Sequence, residues 1–190
     1  LELLNSTVCY ARKVTVCRCP TGFGGSFCQR IASSSPLNCG GLIPASNKVT
    51  VLKISISNEE NNRRQCIYHI RASPNQHVLI EIESIKGRCE EGCSNTAMEA
   101  KMNNDSRPVG DRFCCKLQTP RLILSKGCNV PLIFFAQNGT LDVTMYFRSV
   151  NANSSVSLNS TTLIPNDSIK LVEVYEQSDR DYGMYIHGTL

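Results

Sequence analysis

The sequence predicts an all-β protein: an antiparallel sandwich over residues 39–150, led by a small cysteine-closed hairpin and followed by a flexible tail. Three observations predict it. Short runs alternate apolar and polar residues with period two, separated by turn residues. No convincing helical stripe competes with them, which favours a sandwich over a mixed fold. Eleven cysteines stand in 190 residues, a density that a reducing cytosol seldom supports without metal.

The first element is the hairpin. Cys17, Cys19 and Cys28 are spaced C-x-C-x8-C, with glycines at 22, 24 and 25. A Cys19–Cys28 disulfide would close a small loop, and the glycines would supply the positive φ its turn needs. Residues 31–38, Ile-Ala-Ser-Ser-Ser-Pro-Leu-Asn, are small and polar and read as a linker.

Strands follow in order. Val49, Val51, Ile54 and Ile56 suggest the first, and Cys66, Tyr68 and Ile70 share one face of the next. Val78, Ile80 and Ile82 alternate with Leu79, Glu81 and Glu83. Met98, Ala100 and Met102 alternate with Glu99 and Lys101, and Leu122 and Leu124 suggest an edge strand. Leu132 to Ala136 is apolar throughout, as a strand buried on both sides requires. Leu141, Val143, Met145 and Phe147 give the cleanest alternation of all. Without tryptophan, the core must come from Ile, Leu, Val, Met and a few Phe and Tyr.

Cys89 and Cys93 face Cys114 and Cys115 about twenty residues on. Neighbouring side chains in an extended strand point to opposite faces, so Cys114 and Cys115 cannot easily bond each other. Cys89 and Cys93 lie at the right distance to be their partners. The competing reading is four thiolates on zinc: C-x3-C fits a structural zinc hook, and the adjacent pair fits it poorly.

Of the eighteen residues from Asn151 to Ser168, eleven are Asn, Ser or Thr. That composition predicts a glycosylated, flexible tail over 151–190, with some strand character from Ile169 to Tyr175. Acceptor sequons stand at Asn5, Asn104, Asn138, Asn153, Asn159 and Asn166. Six sequons with eleven cysteines point to the secretory route, hence to a secreted, extracellular protein. The chain starts at Leu1 and shows no signal peptide, so an amino-terminal portion is expected to be missing.

Composition excludes some function classes. Residues 1–150 carry 18 Lys and Arg against 11 Asp and Glu, whereas residues 151–190 carry 2 against 5. The basic residues are scattered and not interleaved with aromatics, which argues against nucleic-acid binding. No apolar run approaches the roughly 20 residues needed to span a bilayer.

The run from Cys17 to Cys28, C-R-C-P-T-G-F-G-G-S-F-C, resembles the end of an EGF-like module. Cys9 would match that module's third cysteine, which makes residues 1–30 its carboxy-terminal part. Cys9 and Cys17 would then be orphans or bond each other. Cys39-Gly40-Gly41, Cys66 with the segment to Pro74, and Gly110 to Cys114 resemble a CUB domain. That resemblance implies a two-sheet jelly roll over 39–150, a Cys39–Cys66 disulfide and a second crosslink where the cysteine clamp sits. The doubled clamp, and an EGF-like tail leading straight into Cys-Gly-Gly, are similar to the CUB segment of nematode astacin-type zinc metallopeptidases. Cys128 is left over; it is free or pairs with Cys9 or Cys17, stapling the hairpin to the sandwich.

The resemblance implies a non-catalytic protein-binding region of such a peptidase. Its partners would be extracellular, matrix or cuticle proteins, or the parent catalytic domain. The alternative is a stand-alone secreted EGF–CUB adhesion or recognition protein, and a further one is a small structural-zinc protein. Astacins carry H-E-x-x-H-x-x-G-x-x-H. This chain has only His69, His77 and His187, at no such spacing, so zinc is expected only in a catalytic domain outside it. His69 reads as a half-exposed strand residue. No G-x-S-x-G motif supports a serine hydrolase. Many CUB domains bind calcium through acidic loop residues, but Ser94 to Ala97 and Ser125 to Asn129 lack an acid. Glu90 and Glu91 read as a solvated turn. Calcium is therefore not expected.

Overall fold

The computed structural model describes residues 17–58, 62–153 and 170–176, the last as backbone only. Twelve strands occur among them: β1 (Phe23–Gly24), β2 (Arg30–Ile31), β3 (Gly41–Pro44), β4 (Thr50–Asn58), β5 (Arg64–Arg71), β6 (Gln76–Lys86), β7 (Thr96–Ala100), β8 (Asp111–Phe113), β9 (Arg121–Leu124), β10 (Asn129–Ala136), β11 (Gly139–Asn151) and β12 (Lys170–Glu176). A 3₁₀ turn at Glu91–Cys93 is the only helical element described. The β1–β2 ribbon precedes two five-stranded sheets, ordered β3-β5-β10-β7-β8 and β12-β4-β11-β6-β9. Pairing is antiparallel except at two edges, where β3 runs parallel to β5 and β12 parallel to β4. The sandwich expected from alternation is present.

The core forms where the alternating apolar faces meet. Leu52, Ile54 and Ile56 of β4, and Leu141, Val143, Met145 and Phe147 of β11, face Tyr68, Ile70, Met98, Leu132 and Phe134 of the other sheet. Each fully buried side chain of this size contributes roughly 1.5–3 kcal/mol of transfer free energy. Tyr68 and Phe134 meet edge to face with centroids 6.1 Å apart. Gln137 and Asn138 connect β10 to β11, whose first residue, Gly139, takes φ +109°.

Four disulfides link described cysteines. Cys39–Cys66 lies in the core, Cys19–Cys28 closes the hairpin, and Cys89–Cys115 encloses Cys93–Cys114. The vicinal cysteines are not within a strand: β8 ends at Phe113 and the pair follows it. Their sulfurs are paired, so none is a thiolate available to zinc. Cys17 is also disulfide-bonded, and Cys9 lies outside the described residues. Cys128 is a free, half-buried thiol, so the proposed staple from hairpin to sandwich does not form there.

One further expectation changes. The strand expected through Met102 ends at Ala100, and Met102 tucks into the core beyond it. In the tail, the strand character read from Ile169 to Tyr175 corresponds to β12, Lys170–Glu176, alongside β4. That stretch is the one whose β-branched and aromatic residues had given it strand character.

Candidate functional site

The site is built on the outer face of the β3-β5-β10-β7-β8 sheet. Alternation turns Tyr68, Met98, Leu132 and Phe134 into the core and therefore turns Ile67, His69, Ala97, Glu99, Ile133 and Phe135 outward. An outer sheet face is usually half wet. Here all six residues are buried, at 2% exposure or less, because three pieces of chain cover them.

The hairpin is the first piece. Phe23 sits with its ring edge-on to His69, centroids 4.9 Å apart, and His69 Nε2–H donates to the Gly22 carbonyl at 2.9 Å. His69 Nδ1 accepts from the Asn129 amide at 3.4 Å. His69 is thus buried rather than half-exposed. Its pKa is lowered, first by loss of water and then by Arg71, against the upward pull of the Gly22 and Asn129 hydrogen bonds. Gly22 has φ +89°, and a Cβ there would press on Pro131 and Ile133 at 3.4 Å. This glycine lets the turn lie flat on β10.

The presumed linker is the second piece, and it is no loose spacer. Ser35 and Gln65 exchange backbone hydrogen bonds of 2.8 and 2.7 Å, and the buried Ser34 hydroxyl accepts from Ile67 N–H at 3.0 Å. Ile31 and Ala32 pack on the Ile67, Ile133 and Phe135 cluster. This explains the Cys-Gly-Gly motif: at Gly40, with φ +89°, a Cβ would meet the Ile67 carbonyl oxygen at 2.6 Å and the Ser34 hydroxyl. The disulfide clamp is the third piece, with Cys93, Cys114 and Cys115 in the same cluster.

Charge is buried in this layer as well. Glu99 Oε1 accepts from Thr21 of the hairpin and from Gly110 N–H, both at 3.1 Å, and lies 3.8 Å from Lys101 Nζ. Its Oε2 accepts from Arg112 Nε at 3.1 Å. Lys101 also donates to the carbonyls of Ser106 and Pro108, which folds the loop after β7 back on the strand. Burial lowers the Lys101 pKa, and Glu99 opposes that shift. Beside this network Arg63 lies over the Phe135 ring, Cζ 4.0 Å from its centroid, and Arg112 lies 5.4 Å from the same centroid.

Of the two acids beside the clamp, Glu90 has other work. Glu90 accepts from Ser94 Oγ, from Asn95 N–H and from the Asn95 amide, at 2.6 to 2.9 Å. These bonds hold its carboxyl down at about 2. It ties the start of the clamp turn to Ser94 and Asn95 beyond it, instead of standing solvated. Among the described residues no three His, Cys, Asp or Glu side chains converge as metal ligands. Asn104, Asn138 and Asn153 are exposed, while Asn5, Asn159 and Asn166 lie outside the described residues, as does His187.

Comparison with known proteins bears on this architecture. The CUB domain model matches residues 39–148, more than half of the chain. The chain belongs to the CUB domain family. Its CUB domain is the two-sheet unit, and the hairpin and linker lie before it. Among curated proteins, the chain is 38% identical over 145 residues to zinc metalloproteinase nas-29 of Caenorhabditis elegans, covering 76% of this chain and 27% of that protein. It is 33% identical over 186 residues to zinc metalloproteinase nas-23 of the same organism, covering 95% and 34%. The chain thus spans about a quarter to a third of these relatives. They are of the astacin type that the cysteine pattern resembles. The CUB1-EGF-CUB2 domain of human MASP-1/3 overlays with TM-score 0.42 at 19% identity, covering 71% of this chain and 50% of that one.

Sequence reasoning did not find Arg63, Arg112, Phe135 or the burial of Glu99. One signal was available: Glu99 and Lys101, two residues apart on a strand, share a face, where opposite charges sit side by side.

Proposed function

We propose that this chain is the non-catalytic, protein-binding EGF–CUB region of a secreted astacin-like zinc metalloendopeptidase. Its role is to select or localise protein substrates in an extracellular matrix or cuticle, or to restrain the catalytic domain. The observation that carries the reading is the docking of hairpin and linker on the outer sheet face. With that interface buried, hairpin, linker and sandwich move as one body. A protein held by the CUB domain is then held at a set distance from whatever the hairpin joins on its amino side. Fixing that geometry contributes to rate through proximity rather than chemistry. On this reading zinc belongs to a catalytic domain outside residues 1–190.

The test compares the full-length peptidase with a version lacking residues 1–190, on a protein substrate and on a short fluorogenic peptide. Substrate targeting predicts that deletion lowers kcat/KM on the protein about tenfold or more and leaves the peptide unchanged. Restraint predicts a rise on both. Unchanged rates on both would reject the proposal.

A further inference from the structure

In the Arg63–Phe135–Arg112 stack, Phe135 and Arg112 also serve the fold, and Arg63 is the member with no such task among the described residues. Arg112 spends Nε on Glu99 and one terminal nitrogen on the Gly92 carbonyl at 3.4 Å. Arg63 is exposed and, among the described residues, forms no ion pair; its described contact is the Phe135 ring. Glu99, the nearby carboxylate, is committed to Thr21, Gly110, Lys101 and Arg112. Two guanidiniums therefore share one ring; loss of water and then Arg112 disfavour the charge on Arg63, and the more distant Glu99 only partly offsets them.

We infer that this stack is a binding site for the carboxylates of an acidic peptide segment on a partner protein. The ring holds the Arg63 fork in place beforehand, so less side-chain entropy is lost on binding, and planar guanidinium suits bidentate carboxylate recognition. The site is small. Neighbouring bases are occupied: Arg64 donates to the Ser57 carbonyl, Arg88 pairs with Glu90, Arg107 with Asp105, and Lys101 is buried. A sulfated polysaccharide would need a longer run of free bases, whereas the Arg63 fork and the remaining terminal nitrogen of Arg112 match one or two acidic side chains. The excess of positive charge over residues 1–150 favours the same ligand at longer range. This inference rests on the protein-binding reading and names the chemistry of the partner.

The experiment titrates the full chain with a fluorescein-labelled peptide alternating Glu and Gly, read by fluorescence anisotropy. Arg63→Gln is the first variant, since its side chain is exposed, and Arg63→Lys the second, keeping charge without the fork. The expected result is weakening by about tenfold or more for Arg63→Gln, a smaller loss for Arg63→Lys, and no binding of the matching Gln–Gly peptide. Binding by Arg63→Gln within twofold of the parent chain would overturn the inference. So would a heparin-derived oligosaccharide of equal charge that binds tenfold more tightly than the peptide. In the full-length peptidase the two proposals separate. If deletion of residues 1–190 lowers protein cleavage but Arg63→Gln does not, the acidic-peptide site falls and the protein-binding region stands.

Discussion

Strands β7 and β11 look alike in sequence and are treated oppositely by the fold. Both alternate apolar residues with polar or charged ones. In β11 the outward Asp142, Thr144, Tyr146 and Arg148 stay half-exposed. In β7 every residue is buried, including Glu99 at 1%, and Lys101 just beyond it is 3% exposed. The difference does not arise in the strands. It arises because hairpin, linker and disulfide clamp form a third layer over β5, β10 and β7. Alternation reports which face meets the sandwich core, and it is silent about what later covers the other face.

The sharpest way to break that contrast is to remove one carboxylate from each strand. Glu99→Ala leaves Lys101 buried without its counter-charge and strips partners from Thr21, Gly110 and Arg112, a loss of about 3–5 kcal/mol in chemical denaturation. Asp142→Ala removes a half-exposed acceptor of the Ser55 hydroxyl and costs about 1 kcal/mol. Equal losses would mean that β7 is no more enclosed than β11.

Opening the clamp comes next. Each of its bonds closes a loop of 21 to 26 residues and contributes roughly 3 kcal/mol by the chain-entropy estimate. Replacing Cys89 and Cys115 together by alanine should lower stability by about that amount. Amide exchange should then quicken around Glu91–Cys93 and the β8 end before it quickens in β11. Uniform acceleration would show that the clamp braces the whole sandwich rather than the covered face.

The smallest effect is with pH. The unfolded chain takes up a proton on His69 near its ordinary 6.5, while the folded chain, with its pKa lowered, does not. The unfolded state therefore binds more protons once pH falls below 6.5, and stability declines from there down to the folded value, then levels off. Among the groups around the ring, Arg71 is the charged one, and it acts in the same direction as burial. His69→Gln, which keeps a donor for Gly22, should flatten this part of the profile. A variant with the parent's pH dependence would place the titrating group elsewhere.

The same contrast explains what the sequence disclosed. The β11 and β10 patterns and the cysteine spacings are local signals, and they led to a sandwich. The short β3 offered no pattern, because Gly41–Pro44 earns its place by pairing with β5 rather than by propensity. Burial of His69 could not be read from its strand, since its cover comes from Gly22 and Phe23, 47 and 46 positions away in the chain. The Arg63–Phe135–Arg112 stack likewise joins three segments that alternation treats separately. Ser34 and Ser35 looked like linker residues because polar composition reports solvation, and here their polar groups are satisfied by Ile67 and Gln65 instead.

The central claim, that hairpin and linker are docked on the sandwich, is tested most directly by native-state amide hydrogen exchange at Ala32, Ser35, Gln65 and Ile67. Their N–H groups bond Gly22 O, Gln65 O, Ser35 O and Ser34 Oγ. Protection at all four approaching that of the β10 amides is the predicted result. Exchange at Ala32 and Ser35 as fast as in an unfolded peptide, with β10 still protected, would contradict it.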